Sequence, residues 1–161
     1  MRMKEAKTSH DALLRQIGRN MRICRRRAGY RAGTAAELLE LTERTLCAYE
    51  RAEHEMTLRT AVSIAMLYRT TLSKMLGYKK EGRKSTSSGK LIYSFKVLRK
   101  RLGYTQAEFA AEIGISKATL SKYENKQPDI SICTFYVLCE KCGLDEKGMD
   151  ELARAVVIFR G

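Results

Sequence analysis

The stretch with the clearest chemical pattern is TQAEFAAEIGISKATLSKYENKQ, which runs from Thr105 to Gln127. Its second part places lysines and hydroxyl side chains between apolar residues at helical spacing. Such a helix face can enter the major groove of DNA, where lysine meets guanine O6 and N7 and hydroxyls meet phosphates or base edges. The side chains expected on that face are Lys117, Ala118, Ser121, Lys122 and Asn125.

Local signals around this stretch predict two short helices joined by a tight turn. Thr105 and Glu108 form a T-x-x-E capping box that starts the first helix, and Gly114 ends it. Ser116 then caps a second helix almost at once, which is the helix-turn-helix geometry. Gln106 and the first-turn amides of the first helix are placed to take phosphate oxygens. A solvated polar face, or a helix-turn-helix that binds no DNA, remains the alternative interpretation.

The rest of the chain continues the helical pattern. Apolar spacing predicts helices at about 9–29, 34–40, 43–52, 57–68 and 71–76. The segment 77–90 is rich in Gly, Ser and Lys and breaks the periodicity, so it is predicted to be a linker. The helical pattern restarts at Leu91 and continues towards the C-terminus, without a convincing alternating strand pattern. The predicted fold class is therefore all-α.

An internal repeat relates the two parts of the chain. Arg25 aligns with Arg99 and Glu50 with Glu124, a constant offset of 74 positions that passes through a glycine turn without a gap. We therefore predict two tandem small helix-turn-helix domains, at residues 1–76 and 91–161, joined by the short linker 77–90. Other pairs in the same register are Arg27 with Arg101, Gly29 with Gly103, Tyr30 with Tyr104, Ala36 with Ala110, Thr45 with Thr119, Leu46 with Leu120 and Tyr49 with Tyr123.

Composition indicates the class of partner. The 161 residues include 31 Lys and Arg against 18 Asp and Glu, which gives a formal net charge of +13. Such a charge attracts polyanions, with double-stranded DNA first and an acidic membrane surface or an acidic protein second. Since neither a secretory signal nor an apolar run of membrane-spanning length is seen, we expect a cytoplasmic protein without a membrane partner.

Few residues suggest catalysis or metal binding. His10 and His54 are the two histidines, and neither has sequence neighbours that make a nucleophile or a metal site. We therefore expect no enzyme activity, no cofactor and no metal. The cysteines are expected to be free thiols rather than a disulfide framework, although a C-x-x-C leaves metal or redox chemistry as the alternative. They are Cys24, Cys47, Cys133, Cys139 and Cys142.

The stretch LRKRLGYTQAEFAAEIGISKATLSKYENKQPDIS resembles the lambda-repressor-like, Cro/Xre type of helix-turn-helix, and the earlier copy resembles it more weakly. The resemblance implies that Arg99 and Glu124 form an internal salt bridge, matched by Arg25 and Glu50 in the first copy. It implies base reading by Lys117, Ala118 and Lys122, and Ser121 on the same helix face is predicted to join them. It implies phosphate contacts by Gln106 and Asn125. The other predicted phosphate contacts are Ser116, Thr119 and Lys126.

The first copy departs from this pattern where it would face DNA. Ala32 stands where the second copy has Gln106, and the offset also aligns Glu40 with Gly114, Glu43 with Lys117 and Ala48 with Lys122. Glu40 implies a turn reached differently or under strain. A Thr34–Glu37 capping box predicts that the second helix of this copy starts about three residues late. Arg44 and Arg51 are its candidate weaker DNA contacts. Sequence reading, auxiliary backbone binding and a purely structural or oligomerising role all remain open for this copy.

These features favour a sequence-specific DNA-binding transcriptional regulator of bacterial, phage or mobile-element origin, a repressor or autoregulator, with the second domain as the main reader. The alternative is a protein-interaction module, such as an antitoxin or a phage inhibitor protein, that binds a protein partner. An apolar stripe near the C-terminus is expected to pack on the second domain or to form a homodimer contact. Its residues are Met149, Leu152, Val156 and Phe159.

Overall fold

The computed structural model of the protein describes residues 2–79, 94–125 and 130–158, and within these ranges every regular element is a helix. The first half contains α1 (Arg2–Arg27), α2 (Ala32–Leu38), α3 (Glu43–Glu50), α4 (Leu58–Leu67) and α5 (Leu72–Leu76). The second half contains α6 (Phe95–Arg101), α7 (Gln106–Ile113), α8 (Lys117–Glu124), α9 (Ile132–Lys141) and α10 (Glu146–Ile158). The all-α prediction is confirmed. Most of the predicted linker, Lys126 and Phe159 lie outside the described residues.

Helix boundaries recur along the chain at the offset found in the sequence. Helices α3 and α8 begin and end 74 positions apart, and so do α4 and α9. The starts of α2 and α7, and those of α5 and α10, differ by the same number. The backbone therefore repeats with the sequence, although α10 is much longer than α5.

Helix α2 corrects one prediction. It begins at Ala32, two to three residues before the start near residue 34 or 35 that the Thr34–Glu37 box suggested. Its N-cap is Arg31, whose side chain makes no capping hydrogen bond. The start at Ala32 is 74 positions before that of α7 at Gln106, so the first copy keeps the helix start of the second without its capping box.

The turn that follows α2 shows how a glycine has been replaced. Gly114 ends α7 with a φ of +74°, and Glu40, at the equivalent position, has a φ of +56°. A side chain with a Cβ atom is unfavourable in this left-handed region, since the Cβ approaches the following carbonyl oxygen. Glu40 therefore keeps the same turn and carries backbone strain, which is one of the two outcomes the sequence left open.

Both halves contribute to one hydrophobic core. Tyr78 lies in the segment predicted as linker, yet it is 4% exposed and its hydroxyl donates to the carbonyl of Leu144 in the second half at 2.6 Å. The two halves therefore share buried surface instead of being held together by a tether alone. Buried members of the core include Ile17, Met21, Leu46, Ile64, Met75, Phe109, Leu120, Phe135, Leu138 and Leu152.

The joint between the halves is formed by equivalent segments. Thr57 pairs with Ser131 in an isolated antiparallel bridge, and these positions again differ by 74. The amide of Leu58 donates to the carbonyl of Ile130 at 2.9 Å, and the amide of Ile132 donates to the carbonyl of Met56 at 3.0 Å. Each segment thus donates one backbone hydrogen bond to the other segment and accepts the equivalent bond in return.

Helix α10 reinforces this joint by packing on α4 and α5 of the first half. Asp150 accepts hydrogen bonds from the Ser73 amide at 2.8 Å and the Ser73 hydroxyl at 2.9 Å. Met149 and Leu152 are fully buried beside it. The expectation that this apolar stripe packs on the second domain is therefore wrong, because its principal contacts cross to the other half.

Candidate nucleic-acid interface

Helix α8 holds its lysines in the solvent. Lys117, Ala118 and Lys122 are exposed, whereas Leu120 is fully buried. Because residues three and four apart share a helix face, burying Leu120 fixes the rotation of α8 about its axis. The structure therefore brings these three predicted base-reading residues to one outward surface that a DNA groove could meet.

The hydroxyl and amide groups near α8 cap the helix. Ser116 Oγ accepts from the Thr119 amide at 3.1 Å, and the two side-chain hydroxyl oxygens lie 2.7 Å apart. In such a pair one hydroxyl donates to the other, so the hydrogen of the accepting hydroxyl remains for a phosphate oxygen. At the other end, exposed Asn125 donates from Nδ2 to the Oγ of half-buried Ser121 at 3.4 Å. Lys126 belongs to the residues outside the described ranges.

A buried ion pair locks α8 to α6. The Nε and Nη2 atoms of Arg99 donate to the two carboxylate oxygens of Glu124, and Nη1 donates to the carbonyl of Tyr104 at 2.8 Å. Arg99 and Glu124 are 7% and 8% exposed. A two-pronged arginine–carboxylate pair of this kind fixes distance and angle together. It orients α8 and leaves neither group available to a partner outside the chain.

The first half repeats this arrangement atom for atom. Arg25 donates from Nε and Nη2 to the Glu50 carboxylate at 2.6 and 3.1 Å, and from Nη1 to the Tyr30 carbonyl at 2.8 Å. The hydrogen bond to Glu50 raises the pKa of the Arg25 guanidinium above its ordinary value. The scaffold that positions α3 is therefore equivalent to the one that positions α8.

Gln106, expected at the phosphate backbone, is held by the same ion pair in the second half. Its Nε2 donates to Glu124 Oε2 at 2.8 Å. Burial alone would raise the pKa of Glu124, but hydrogen bonds from Arg99 and Gln106 outweigh it, and the pKa lies below its ordinary value. Gln106 thus ties the first turn of α7 to the end of α8. Ala32 cannot make this bond in the first half.

The equivalent surface of the first half differs in charge and in access. A Cβ added to Gly33 would lie 3.2 Å from Glu43 Oε2, so the carboxylate of Glu43 rests against the first turn of α2. Ala48, the equivalent of Lys122, is only 4% exposed. On α3, the surface equivalent to the lysine-bearing face of α8 therefore carries a carboxylate at one position and a buried residue at another.

The two arginines expected to make weaker contacts are both exposed. Arg44 projects from α3, and Arg51 follows its end. Arg51 Nε lies 3.2 Å from Glu53 Oε1, in a pair whose side chains are 60% and 53% exposed. Since exposed pairs of this kind contribute little, Arg51 can exchange Glu53 for a phosphate at small cost.

The structure also gathers three residues that sequence spacing did not connect. His10 Nε2 lies 3.0 Å from Glu55 Oε2, and Glu55 Oε1 accepts from the Cys133 amide at 2.9 Å. The three side chains are of metal-ligating type, within 4.8 Å of one another. Burial raises the pKa of the Cys133 thiol, helped by Glu55, so the thiol stays protonated. The cluster is explained as a hydrogen-bonded contact between the halves, and its members lie too far apart in sequence to form a motif.

The cysteines are free thiols throughout. Cys139 is buried, and burial raises its pKa well above the ordinary value. Burial also raises the pKa of Cys142 to about 12. Because the thiolate is the reactive form, these two thiols of the C-x-x-C are poorly suited to nucleophilic or metal chemistry.

Comparison with known proteins identifies the class of fold of the second half. Residues 95–148 match the family model described as helix-turn-helix. This range contains α6 to α9 and the first residues of α10, including the whole surface described on α8. The first half lies outside the matched range.

Two curated relatives are similar to part of the chain. One is antitoxin HipB of Escherichia coli O6:H1, 36% identical over 58 residues, which are 36% of this chain and 62% of that protein. Another is antitoxin HipB of Escherichia coli K12, 34% identical over 58 residues, which are 36% of this chain and 66% of that protein. The chain thus spans less than two thirds of either relative. No solved structure matches it significantly. Among the described residues, no helix is both long and apolar enough to cross a membrane.

Proposed function

We propose that the protein is a sequence-specific DNA-binding transcriptional regulator with two tandem helix-turn-helix units, at residues 1–76 and 91–161, and that the second unit is the main reader. The observation that carries the proposal is the outward face of α8. Its lysines are exposed, its rotation is fixed by buried Leu120, and its end is fixed by Glu124. The matching helix boundaries and the repeated arginine–glutamate pair support a tandem arrangement.

In this proposal, α8 enters the major groove and Lys117 and Lys122 donate to guanine. Ala118 contacts a neighbouring base edge or a thymine methyl group. Gln106, Asn125 and the cap hydroxyls hold the phosphate backbone on either side. The net charge of +13 adds attraction that does not depend on sequence. Bound at a promoter, such a protein would act by occlusion or by recruitment.

A single substitution tests base reading. Lys122→Ala should weaken binding to the selected operator by about 1–3 kcal/mol, or about 5- to 150-fold, and relax its preference over scrambled duplexes. The matched control is Lys141→Ala, which removes an exposed lysine from the last turn of α9. Fluorescence anisotropy over a salt series would measure both.

The outcome separates three cases. Direct phosphate contacts predict a slope of log K against log salt of about −0.9 per contact. A uniform loss over all duplexes with Lys122→Ala would make Lys122 a phosphate contact and contradict base reading. No binding of wild-type protein to any duplex at low salt would refute the DNA-binding proposal.

The second candidate is a protein-interaction module. It is favoured by one specific observation, the similarity of part of the chain to two proteins named as antitoxins. Under this alternative the basic surface would bind an acidic protein. Two results together would support it over the DNA-binding regulator. One is co-purification of a single stoichiometric protein partner, and the other is equal affinity of the protein for selected and scrambled duplexes.

A further inference from the structure

We propose that a single chain is a covalently joined pseudo-dimer, which binds as a monomer to an asymmetric operator with two unequal half-sites. This inference rests on the proposed function, since it specifies the DNA that the same surface binds. It starts from the joint between the halves.

The joint has the property of a two-fold interface. In such an interface, if residue i contacts residue j, then the equivalent of j contacts the equivalent of i. Thr57 pairs with its own equivalent, Ser131, in an antiparallel bridge. The two flanking backbone bonds run from Leu58 to Ile130 and from Ile132 to Met56. Replacing each residue by its equivalent 74 positions away turns one bond into the other, and their lengths are almost equal, 2.9 and 3.0 Å. A head-to-tail contact would pair unrelated positions.

The joint is buried and already complete within one chain. Met56, Leu58, Ile130 and Ile132 are at most 3% exposed. The bonds of Asp150 to Ser73 fix α10 on α5 beside them. A second copy therefore cannot use this surface, because the chain's own other half occupies it. The expected species in solution is one chain.

The same two-fold relation must carry α3 onto α8. Each helix has the same boundaries relative to the joint, and each is held by the same three arginine hydrogen bonds. A DNA duplex has two-fold axes perpendicular to its length, and helix-turn-helix dimers use them to reach half-sites about 34–36 Å apart. The chain thus contains two symmetry-related recognition helices for one duplex.

Differences between the two helices make the expected operator asymmetric. Helix α8 exposes Lys117 and Lys122, whereas α3 has Glu43 at the first position and buried Ala48 at the second. Arg44 remains exposed on α3 for backbone contact. One half-site should therefore carry most of the sequence information, while the other contributes mainly phosphate contacts.

In vitro selection with the full chain, from random duplexes of about three helical turns, tests this inference. Native mass spectrometry of the enriched complex should show one 18.3 kDa chain per duplex. Footprinting should protect two half-sites about one turn apart, one informative and one degenerate. Two chains on a palindromic site would overturn the pseudo-dimer and leave the regulator intact. Failure to enrich any duplex would instead refute the proposed function itself.

Glu43→Gln gives an internal check on which helix meets the degenerate half-site. Removing one carboxylate beside the phosphates should tighten binding about two- to fivefold at low salt and extend protection over that half-site. The control Glu37→Gln removes an exposed carboxylate from α2. Equal effects of the two variants would show that only net charge has changed and would contradict the placement of α3 on DNA.

Discussion

The strained turn after α2 allows a prediction whose size follows from backbone geometry. Glu40 has a φ of +56°, and Gly114 at the equivalent position has +74°. Holding an L-residue in this region costs about 1–2 kcal/mol. A glycine avoids that cost but loses about 0.5–1 kcal/mol through the greater freedom of the unfolded chain. Glu40→Gly should therefore stabilise the protein by about 0.5–1 kcal/mol.

Urea titrations and thermal scans followed by circular dichroism would measure this gain. For a chain of this size, 1 kcal/mol corresponds to about 2–4 °C in Tm, so the expected rise is about 1–4 °C. The urea midpoint should increase while the m-value stays constant, since the surface exposed on unfolding is unchanged.

Two controls separate backbone strain from charge. Glu40→Ala removes the same carboxylate but keeps a Cβ, so the strain and the stability should remain close to those of the wild type. Gly114→Ala introduces strain without a steric contact, because nothing lies within 4 Å of the added Cβ, and should destabilise by about 1 kcal/mol. If Glu40→Ala stabilised as much as Glu40→Gly, the gain would come from charge and the reasoning about φ would be refuted.

Two further substitutions test the buried polar groups. Glu124→Gln leaves the Arg99 guanidinium buried without its counter-charge and should cost about 3–5 kcal/mol at pH 7. Because the pKa of Glu124 is lowered in the folded state, its stabilisation is present above the unfolded value of about 4.3 and is lost as pH falls through the folded value. The difference from wild type should therefore shrink in urea titrations below about pH 4, and a constant difference would contradict this assignment. Asp150→Asn should lower the free energy of unfolding by about 1.5–3 kcal/mol, because it replaces the charged acceptors of two Ser73 hydrogen bonds. Urea titration would measure this loss, and Ser73→Ala, which removes only the hydroxyl bond, should show a smaller one. An unchanged urea midpoint for Asp150→Asn would exclude the contribution.

Much of the local structure could be predicted from sequence because its signals are local. The Thr105–Glu108 box starts α7, and Gly114 ends it with a positive φ. The family resemblance paired Arg99 with Glu124 before any coordinates, and the repeat at an offset of 74 carried that pair over to Arg25 and Glu50. The start of α2 was missed because its N-cap, Arg31, makes no side-chain capping hydrogen bond, so no local signal marks it.

The accessibility of the candidate site was harder to predict. Replacement of Lys122 by Ala48 is visible in the sequence, but the 4% exposure of Ala48 is seen only in the structure, where its carbonyl accepts from the amide of Glu53 at 2.9 Å. The attachment of Gln106 to Glu124 likewise depends on how closely α7 approaches the end of α8. Neither distance is encoded in the spacing of residue types.

The sequence by itself determined the helical class, the internal repeat at an offset of 74 and the unequal chemistry of the candidate DNA-facing positions in its two parts. Capping, apolar periodicity and charge are properties of neighbouring residues, so they can be recognised without coordinates. Only the tertiary structure decided how the copies are joined. The central hydrogen bonds of that joint connect backbone groups of Met56, Leu58, Ile130 and Ile132, and nearly every residue carries such groups. A pattern of side chains therefore could not reveal that the two halves share one core and are joined through equivalent segments.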